Sequence, residues 1–75
     1  MKLYYYYDHE ADVLYLSQGK PSAKDRSQET ADDVILRLDP KTKRVKGFTV
    51  LNFRRRAKGA SVPLSLPIRA ELMPV

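Results

Sequence analysis

The side chains with the richest chemistry lie together in the run Asp8-His9-Glu10-Ala11-Asp12. Carboxylates and an imidazole are groups that bind metal ions or transfer protons. Adjacent residues at a chain reversal point in different directions, however, whereas a metal site needs several convergent ligands. We therefore expect turn chemistry and no metal. Asp8 should accept a hydrogen bond from a backbone N–H two residues on, and Asp12 should brace the return of the chain into the next strand.

Catalysis of other kinds has little support in the sequence. The chain has no cysteine, and no serine stands in a context that suggests an oriented base and a third group. Its three glycines are far apart, so the sequence contains neither a phosphate-binding loop nor a nucleotide fingerprint. The sequence predicts a protein that is not an enzyme and that uses no cofactor.

Charge is distributed unevenly along the chain. Residues 1–40 hold five basic and eight acidic residues, whereas residues 41–75 hold nine basic and one acidic residue. A basic block attracts phosphate backbones or an acidic partner. The alternatives are a solvated rim, or a basic half that faces the acidic half of a second copy. The candidate binding residues in this block are Lys41, Lys43, Arg44, Arg54, Arg55, Arg56 and Lys58.

Five tyrosines form a second group with functional potential, at Tyr4 to Tyr7 and at Tyr15. Tyrosines on a sheet beside basic residues can stack nucleic-acid bases. No RNA-recognition or cold-shock motif accompanies them, and a large ring with one polar tip is equally suited to protein interfaces. We favour an interface, with Tyr4 and Tyr6 as candidate contacts. Because rings lie on both faces of the first strand, we expect that strand to be covered on both sides, or one tyrosine face to meet a partner.

The elements that position these side chains are predicted to be short strands. Runs of aromatic and β-branched residues indicate strands at about 2–7, 13–17, 34–38 and 44–53. Asp39-Pro40 suits a type I turn between the last two, and Gly47 predicts a bulge or a close backbone approach. The polar segment 24–30 fits an edge strand or a loop equally well. Residues 54–60 have room for one helical turn.

The C-terminal segment alternates between apolar and polar residues from residue 61 to residue 72. Its two internal prolines cannot donate ladder hydrogen bonds, so it should be an edge strand or an extended arm. We expect Leu66, Ile68 and Leu72 to pack on a sheet face, in the same subunit or in a neighbouring one. The apolar side of the alternation consists of Leu66, Ile68, Ala70 and Leu72.

Length and composition complete the prediction of fold class. With 75 residues and no cysteine, the chain should form one small domain that gains stability by association, as a homodimer or larger. We predict a mainly β fold, a small antiparallel β-meander of about five strands with an extended C-terminal arm that a dimer could swap. The parts are a meander core at 1–53, a basic connector at 54–60 and a C-terminal strand or arm at 61–75. No apolar run is long enough for a membrane span and no signal peptide is evident, so we expect a cytoplasmic protein that does not bind membranes.

The sequence also resembles a known family. The run YDHEADVLYL at residues 7–16 resembles the opening of the domain of unknown function 2283 family, whose members are small bacterial and archaeal proteins. That family typically opens with Tyr-Asp, two residues, Ala-Asp, one residue and Leu-Tyr. Its second half resembles DVILRLD at 33–39 followed by VKGFTVL at 45–51, so the resemblance covers about residues 5–53. It implies a small β domain with no established activity.

Three positions depart from the family pattern. His9 stands where proline is usual, Arg37 replaces a frequent aspartate, and Thr49 replaces a common glutamate. If acidic residues form a site in that family, this chain lacks two of them.

Two functions from different classes follow from the sequence. We favour a protein-interaction module that acts as a homo-oligomer, with an unidentified protein as a further partner. By analogy, an antitoxin-like role would fit such a module. The alternative is a nucleic-acid-binding accessory protein that uses residues 41–58. Salt separates the two, because phosphate binding weakens steeply as salt rises and an apolar interface does not.

Overall fold

The computed structural model describes residues 2–30, 32–69 and 72–75. Every strand pair in its single sheet is antiparallel, which confirms the predicted mainly β fold. No helix in these ranges is long and apolar enough to span a membrane. The elements are β1 (Leu3–Asp8), β2 (Val13–Gln18), β3 (Arg26–Glu29), β4 (Val34–Leu38), β5 (Val45–Leu51) and α1 (Phe53–Ala57).

The strand order is β1-β2-β5-β4-β3, which corrects the expected meander. The chain forms a β1–β2 hairpin, then leaves for the far edge of the sheet and returns through β3, β4 and β5. Strand β5 therefore enters between β2 and β4 and occupies the centre. The segment whose pattern was ambiguous supplies edge strand β3, and the described part of residues 61–75 is an arm without strand structure.

A bulge in β5 sets the register of the centre. Arg37 of β4 lies opposite Gly47, but the next residue, Leu38, lies opposite Val45, so Lys46 is the extra residue. A Cβ atom at Gly47 would lie 2.0 Å from a backbone oxygen of β2. Both predicted reasons for a glycine in this strand are therefore confirmed.

The sheet has two different faces. Directly opposed residues point to the same side of a sheet, so the register assigns each side chain to a face. One face, which we call the arm face, contains the buried Val34, Leu36 and Val50, and Val34 and Val50 are only 1% and 2% exposed. Both α1 and the C-terminal arm lie against this face. The other, the tyrosine face, presents Tyr4, Tyr6 and Tyr15.

The C-terminal arm contributes apolar side chains to the arm face. Leu66 and Ile68 are half-buried and border a groove of about 630 Å³ together with Leu16 and Phe48 of the sheet. Leu72, expected to pack in the same way, is 87% exposed. Ala70 lies outside the described residues.

We predict that Gly47→Ala is strongly destabilising, because its methyl group would overlap the β2 backbone. Overpacking against backbone in a sheet centre should cost about 3 kcal/mol or more of unfolding free energy. The control is Gly59→Ala, where φ is +81° and no atom lies within 4 Å of the new Cβ, so only conformational strain of about 1 kcal/mol is expected. Urea denaturation of both variants measures the difference. Equal losses would contradict the close approach.

We also predict that removal of residues 61–75 lowers stability by uncovering the arm face. Full burial of a leucine or isoleucine is worth about 1.5–3 kcal/mol, so two half-buried side chains should contribute about 2–3 kcal/mol together. The expected result is a lower melting temperature and new binding of a hydrophobic dye. Leu72→Ser is the matched control and should leave both unchanged. A truncated chain that melts like the full chain would show that the arm does not stabilise the sheet.

Candidate functional site

The tip of the first hairpin uses its polar side chains to hold its own backbone. Asp8 Oδ1 accepts hydrogen bonds from the N–H groups of Glu10, at 3.1 Å, and Ala11, at 3.2 Å, which confirms the predicted aspartate turn. The His9 ring packs edge-on against the Tyr7 ring, with 4.6 Å between centroids. Within the described ranges, no group of three or more carboxylate or imidazole side chains is placed to hold a metal ion.

Asp12 joins this hairpin to the segment that follows β5. Its Oδ1 accepts hydrogen bonds from the Tyr7 hydroxyl at 2.5 Å and from the Arg54 N–H at 2.9 Å. Its Oδ2 accepts from the Arg55 N–H at 3.2 Å, and its carbonyl oxygen accepts from the Phe53 N–H at 3.0 Å. The first N–H groups of a helix have no partner inside the helix. Asp12 satisfies three of them for α1.

This contact replaces a local helix cap. Asn52 occupies the N-cap position of α1 with a left-handed backbone (φ 54°) and makes no capping hydrogen bond with its side chain. Its amide instead donates to Asp33 Oδ2 at 3.3 Å. Because the Asn52 side chain binds Asp33 and does not cap α1, the capping hydrogen bonds come from Asp12. The backbone of Asp12 is also left-handed, with φ 58°. The predicted role of Asp12 inside its own loop is therefore extended to a contact about forty residues away in the chain.

The pKa values of the linked side chains move in opposite directions. The hydrogen bond from Tyr7, followed by that from the Arg54 N–H, lowers the pKa of Asp12 below its ordinary value because both favour the carboxylate. The same hydrogen bond to Asp12 raises the pKa of Tyr7 because it favours the protonated phenol. The pair is thus most stable with an ionised Asp12 and a neutral Tyr7.

The basic residues fall into two groups at opposite ends of β5. The turn group, Lys41, Lys43 and Arg44, precedes the strand, and the helix group, Arg54, Arg55, Arg56 and Lys58, follows it. A seven-residue strand at about 3.3 Å per residue separates the two groups by about 20 Å. Residues that are close in sequence therefore do not form one continuous cluster.

Among the described residues, the side chains of Lys46 and Arg56 bind oxygen atoms of the same chain. Lys46 Nζ donates to Asp25 Oδ1 at 2.9 Å and to the carbonyl oxygen of Lys20 at 3.3 Å, which ties the crossing segment between β2 and β3 to the bulge. This partner lowers the pKa of Asp25. Arg56 donates to the carbonyl oxygen of Asp32 and lies 3.7 Å from Asp33 Oδ2. Both contacts hold connections in place.

The tyrosine face contains the second candidate surface. Tyr6 and Tyr15 are neighbours across the β1–β2 pair, with ring centroids 6.1 Å apart and planes at 29°. They border a groove of about 230 Å³ that also receives Tyr4 and Arg37. Tyr5 points to the arm face but, like Tyr6, is largely exposed, at 78% and 64% respectively. The single chain does not cover β1 on both sides, so of the two predicted alternatives the tyrosine face that meets a partner stays a prediction.

Comparison with known proteins places the chain in a family. A family model described as "protein of unknown function (DUF2283)" matches residues 5–54. The chain belongs to this family. The comparison with curated proteins found no significant match, and neither did the comparison with solved structures.

The DUF2283 match agrees with the resemblance seen in the sequence and includes Tyr7, Asp12 and Arg54, but it ends one residue before Arg55, which also donates to Asp12. Tyr7 and Asp12, the first tyrosine and the second aspartate of the Tyr-Asp and Ala-Asp pairs, thus have a structural role in this chain. Sequence reasoning missed the partner of Asp12 and the Lys46–Asp25 pair. Both depend on residues that only the strand order brings together.

We predict that Asp12→Asn lowers the melting temperature at pH 7 and that this loss shrinks as the solution is acidified. The contribution of a carboxylate with a lowered pKa is complete above its unfolded value, about 3.9, and disappears as the pH falls through the lowered value. The difference between the wild type and the variant should therefore begin to shrink as the pH approaches about 3.9 and should continue to shrink at lower pH. Tyr7→Phe removes one hydrogen bond and should cause a smaller loss at pH 7. A difference that stays constant from pH 7 to pH 3 would contradict this role of Asp12.

Proposed function

We propose that this protein is a non-enzymatic protein-interaction module that acts as a homo-oligomer. The observation that carries the proposal is the exposure of the aromatic side chains of β1. Leu3, Tyr4, Tyr5 and Tyr6 are consecutive, and each is more than 40% exposed. Tyrosine is enriched at protein interfaces, where the ring packs and the hydroxyl finds a polar partner.

The small core supports the same proposal. Among the described residues, the buried hydrophobic side chains are Val13, Val34, Leu36 and Val50. A chain of 75 residues without disulfides obtains little stability from a core of this size. Association through exposed rings adds apolar burial that the single chain lacks.

The hydrogen bonds at the tip of the first hairpin indicate that its aspartate carboxylates have a structural role. Both oxygens of Asp12 accept hydrogen bonds, and Asp8 closes its own turn. A general base must instead be free to reach a proton of the substrate. The carboxylates of Asp8 and Asp12 are therefore used by the fold.

The division of the basic residues favours interaction with protein over nucleic acid. The turn group and the helix group lie at opposite ends of β5. Lys46, which lies in β5 between the two groups, binds the carboxylate of Asp25. Arg56, a member of the helix group, binds the carbonyl oxygen of Asp32. Fewer charges remain for a phosphate backbone than the sequence suggests. An antitoxin-like role, in which the module neutralises a second protein, is one form of this function by analogy.

Sedimentation equilibrium at micromolar concentration tests the proposal. We expect a mass that is a multiple of 8.6 kDa and that persists in 0.5 M salt, because apolar association is not screened. Tyr6→Ser should weaken the assembly at least tenfold, since it removes an exposed ring. Leu72→Ser is the matched control, an exposed apolar residue outside β1, and should have no effect.

A folded monomer at these concentrations would contradict the proposal. In that case nucleic-acid binding becomes the function to test, with Arg54, Arg55 and Lys58 changed to Ala and Arg56 kept for its fold contact. Affinity for DNA that falls similarly for all sequences, with a shallower salt slope, would establish phosphate contacts at the helix group.

A further inference from the structure

The two edges of the sheet are built differently. Strand β3 is four residues long and consists of Arg26-Ser27-Gln28-Glu29, all exposed and polar. Short, charged edges of this kind discourage pairing with other chains. Strand β1 is six residues long, and from Leu3 to Tyr7 it contains no charge and no proline. Its outer edge therefore has none of the usual devices that prevent another strand from pairing with it.

The side chains of β1 are exposed on both faces of the sheet. Leu3 and Tyr5 project to the arm face, whereas Tyr4 and Tyr6 project to the tyrosine face. A partner that docks on one face would cover only one of these pairs. A strand that lies beside β1 in the plane of the sheet would cover both pairs, because its side chains continue both faces. The exposure pattern therefore indicates an occupant at the edge of the sheet.

The charges that flank β1 indicate the direction of that strand. Lys2 precedes the aromatic run and Asp8 ends it. If a second β1 runs antiparallel with Tyr5 opposite Tyr5, then each Lys2 lies opposite an Asp8, and Tyr4 lies opposite Tyr6. Opposite charges at facing positions stabilise an antiparallel pair, and a parallel pair would place like charges side by side.

We propose that two copies of this chain pair through antiparallel β1 edges, centred on Tyr5, to form one continuous ten-stranded sheet. This inference rests on the proposed homo-oligomer and assigns its interface and register. On the tyrosine face, Tyr15 and Tyr6 of one copy continue into Tyr4 of the partner. The pairing leaves the polar β3 edges outermost, so the assembly closes as a dimer and does not grow into a fibre.

The charges of β3 would permit a similar pairing, since Arg26 and Glu29 also stand at opposite ends of a short strand. What distinguishes the two edges is the apolar surface. Pairing of β3 would bury no aromatic ring, whereas pairing of β1 would bury several. The β3 edge therefore serves as an internal control.

Single cysteines test the interface, because the native chain contains none. In an antiparallel pair, directly opposed Cα atoms are about 4.5 or 5.5 Å apart, which is within reach of a disulfide or of a short bis-maleimide linker. Tyr5→Cys should form a covalent dimer under oxidation or with the linker. On β3, a pairing with Arg26 opposite Glu29 would place Ser27 opposite Gln28, so the control is a mixture of Ser27→Cys and Gln28→Cys, which should stay monomeric. A mixture of Tyr4→Cys and Tyr6→Cys should link to each other in preference to themselves.

The charges test the register independently of cysteine chemistry. Lys2→Glu places two like-charge pairs across the symmetric interface and should weaken dimerisation about tenfold. Adding Asp8→Asn should restore most of that affinity, since the amide oxygen of asparagine still accepts the hydrogen bonds of the Asp8 turn. An unchanged dimerisation constant in Lys2→Glu would overturn the register.

The outcomes also separate this inference from the proposed function. A stable oligomer in which Ser27→Cys links to Gln28→Cys and Tyr5→Cys does not link would overturn the β1 interface and keep the homo-oligomer. A stable oligomer in which neither the β1 cysteine nor the β3 cysteines link would also overturn the β1 interface and keep the homo-oligomer. A monomer in sedimentation at the same concentration would overturn both.

Discussion

The carboxylate of Asp12 is the contact on which the arrangement of the second half of the chain depends. It joins a loop between the first two strands to the backbone that leaves the last strand, and so fixes the direction in which the chain continues. From α1 the chain can then place its arm against one face of the sheet, which leaves the other face with its tyrosines. The arm thus lies against one face of the sheet, and the tyrosines lie on the other.

The central position of β5 adds a second constraint. Because β5 pairs with β2 on one side and β4 on the other, its backbone must approach both closely, and Gly47 provides the space beside β2. The bulge at Lys46 then aims an ammonium group at Asp25, in the segment that crosses the end of the sheet. Asp25 is well shielded from solvent, with a side chain only 3% exposed, so this pair is more than a surface contact. The bulge in β5 thus sets the β4–β5 register and also positions Lys46 to hold the segment between β2 and β3.

Sequence patterns predict what depends on neighbouring residues. The strands, the Asp8 and Asp39 turns and the bulge at Gly47 follow from local alternation and turn chemistry, and the structure contains all of them. The strand order does not follow, because a polar stretch such as 18–33 carries no information about which edge it reaches. The contact between Asp12 and α1 depends on the strand order, so the sequence does not predict it either. An aspartate at the end of a hairpin looks the same whether it caps its own loop or a distant helix.

For the candidate surfaces, the limits of the sequence have the same cause. The basic block reads as continuous between residues 41 and 58, yet a strand through its middle separates it into two ends. The consecutive tyrosines predict rings on both faces of the first strand, but they do not indicate that this strand lies at the edge of the sheet. The residue types in the sequence indicate which side chains are candidates for binding. The strand order then determines which of these side chains lie together and which are exposed.

The order of the strands also affects how the chain is made. Strand β5 is the last of the five to leave the ribosome, and it is the one that joins the β1–β2 hairpin to the β3–β4 pair. Until residue 51 has emerged, a nascent chain holds two separate two-stranded units, and an isolated hairpin is marginally stable in water. The aromatic first hairpin must therefore wait unprotected during much of translation. The sheet forms only when its central strand arrives, so its assembly depends on contacts between distant parts of the chain and is slow for so small a protein.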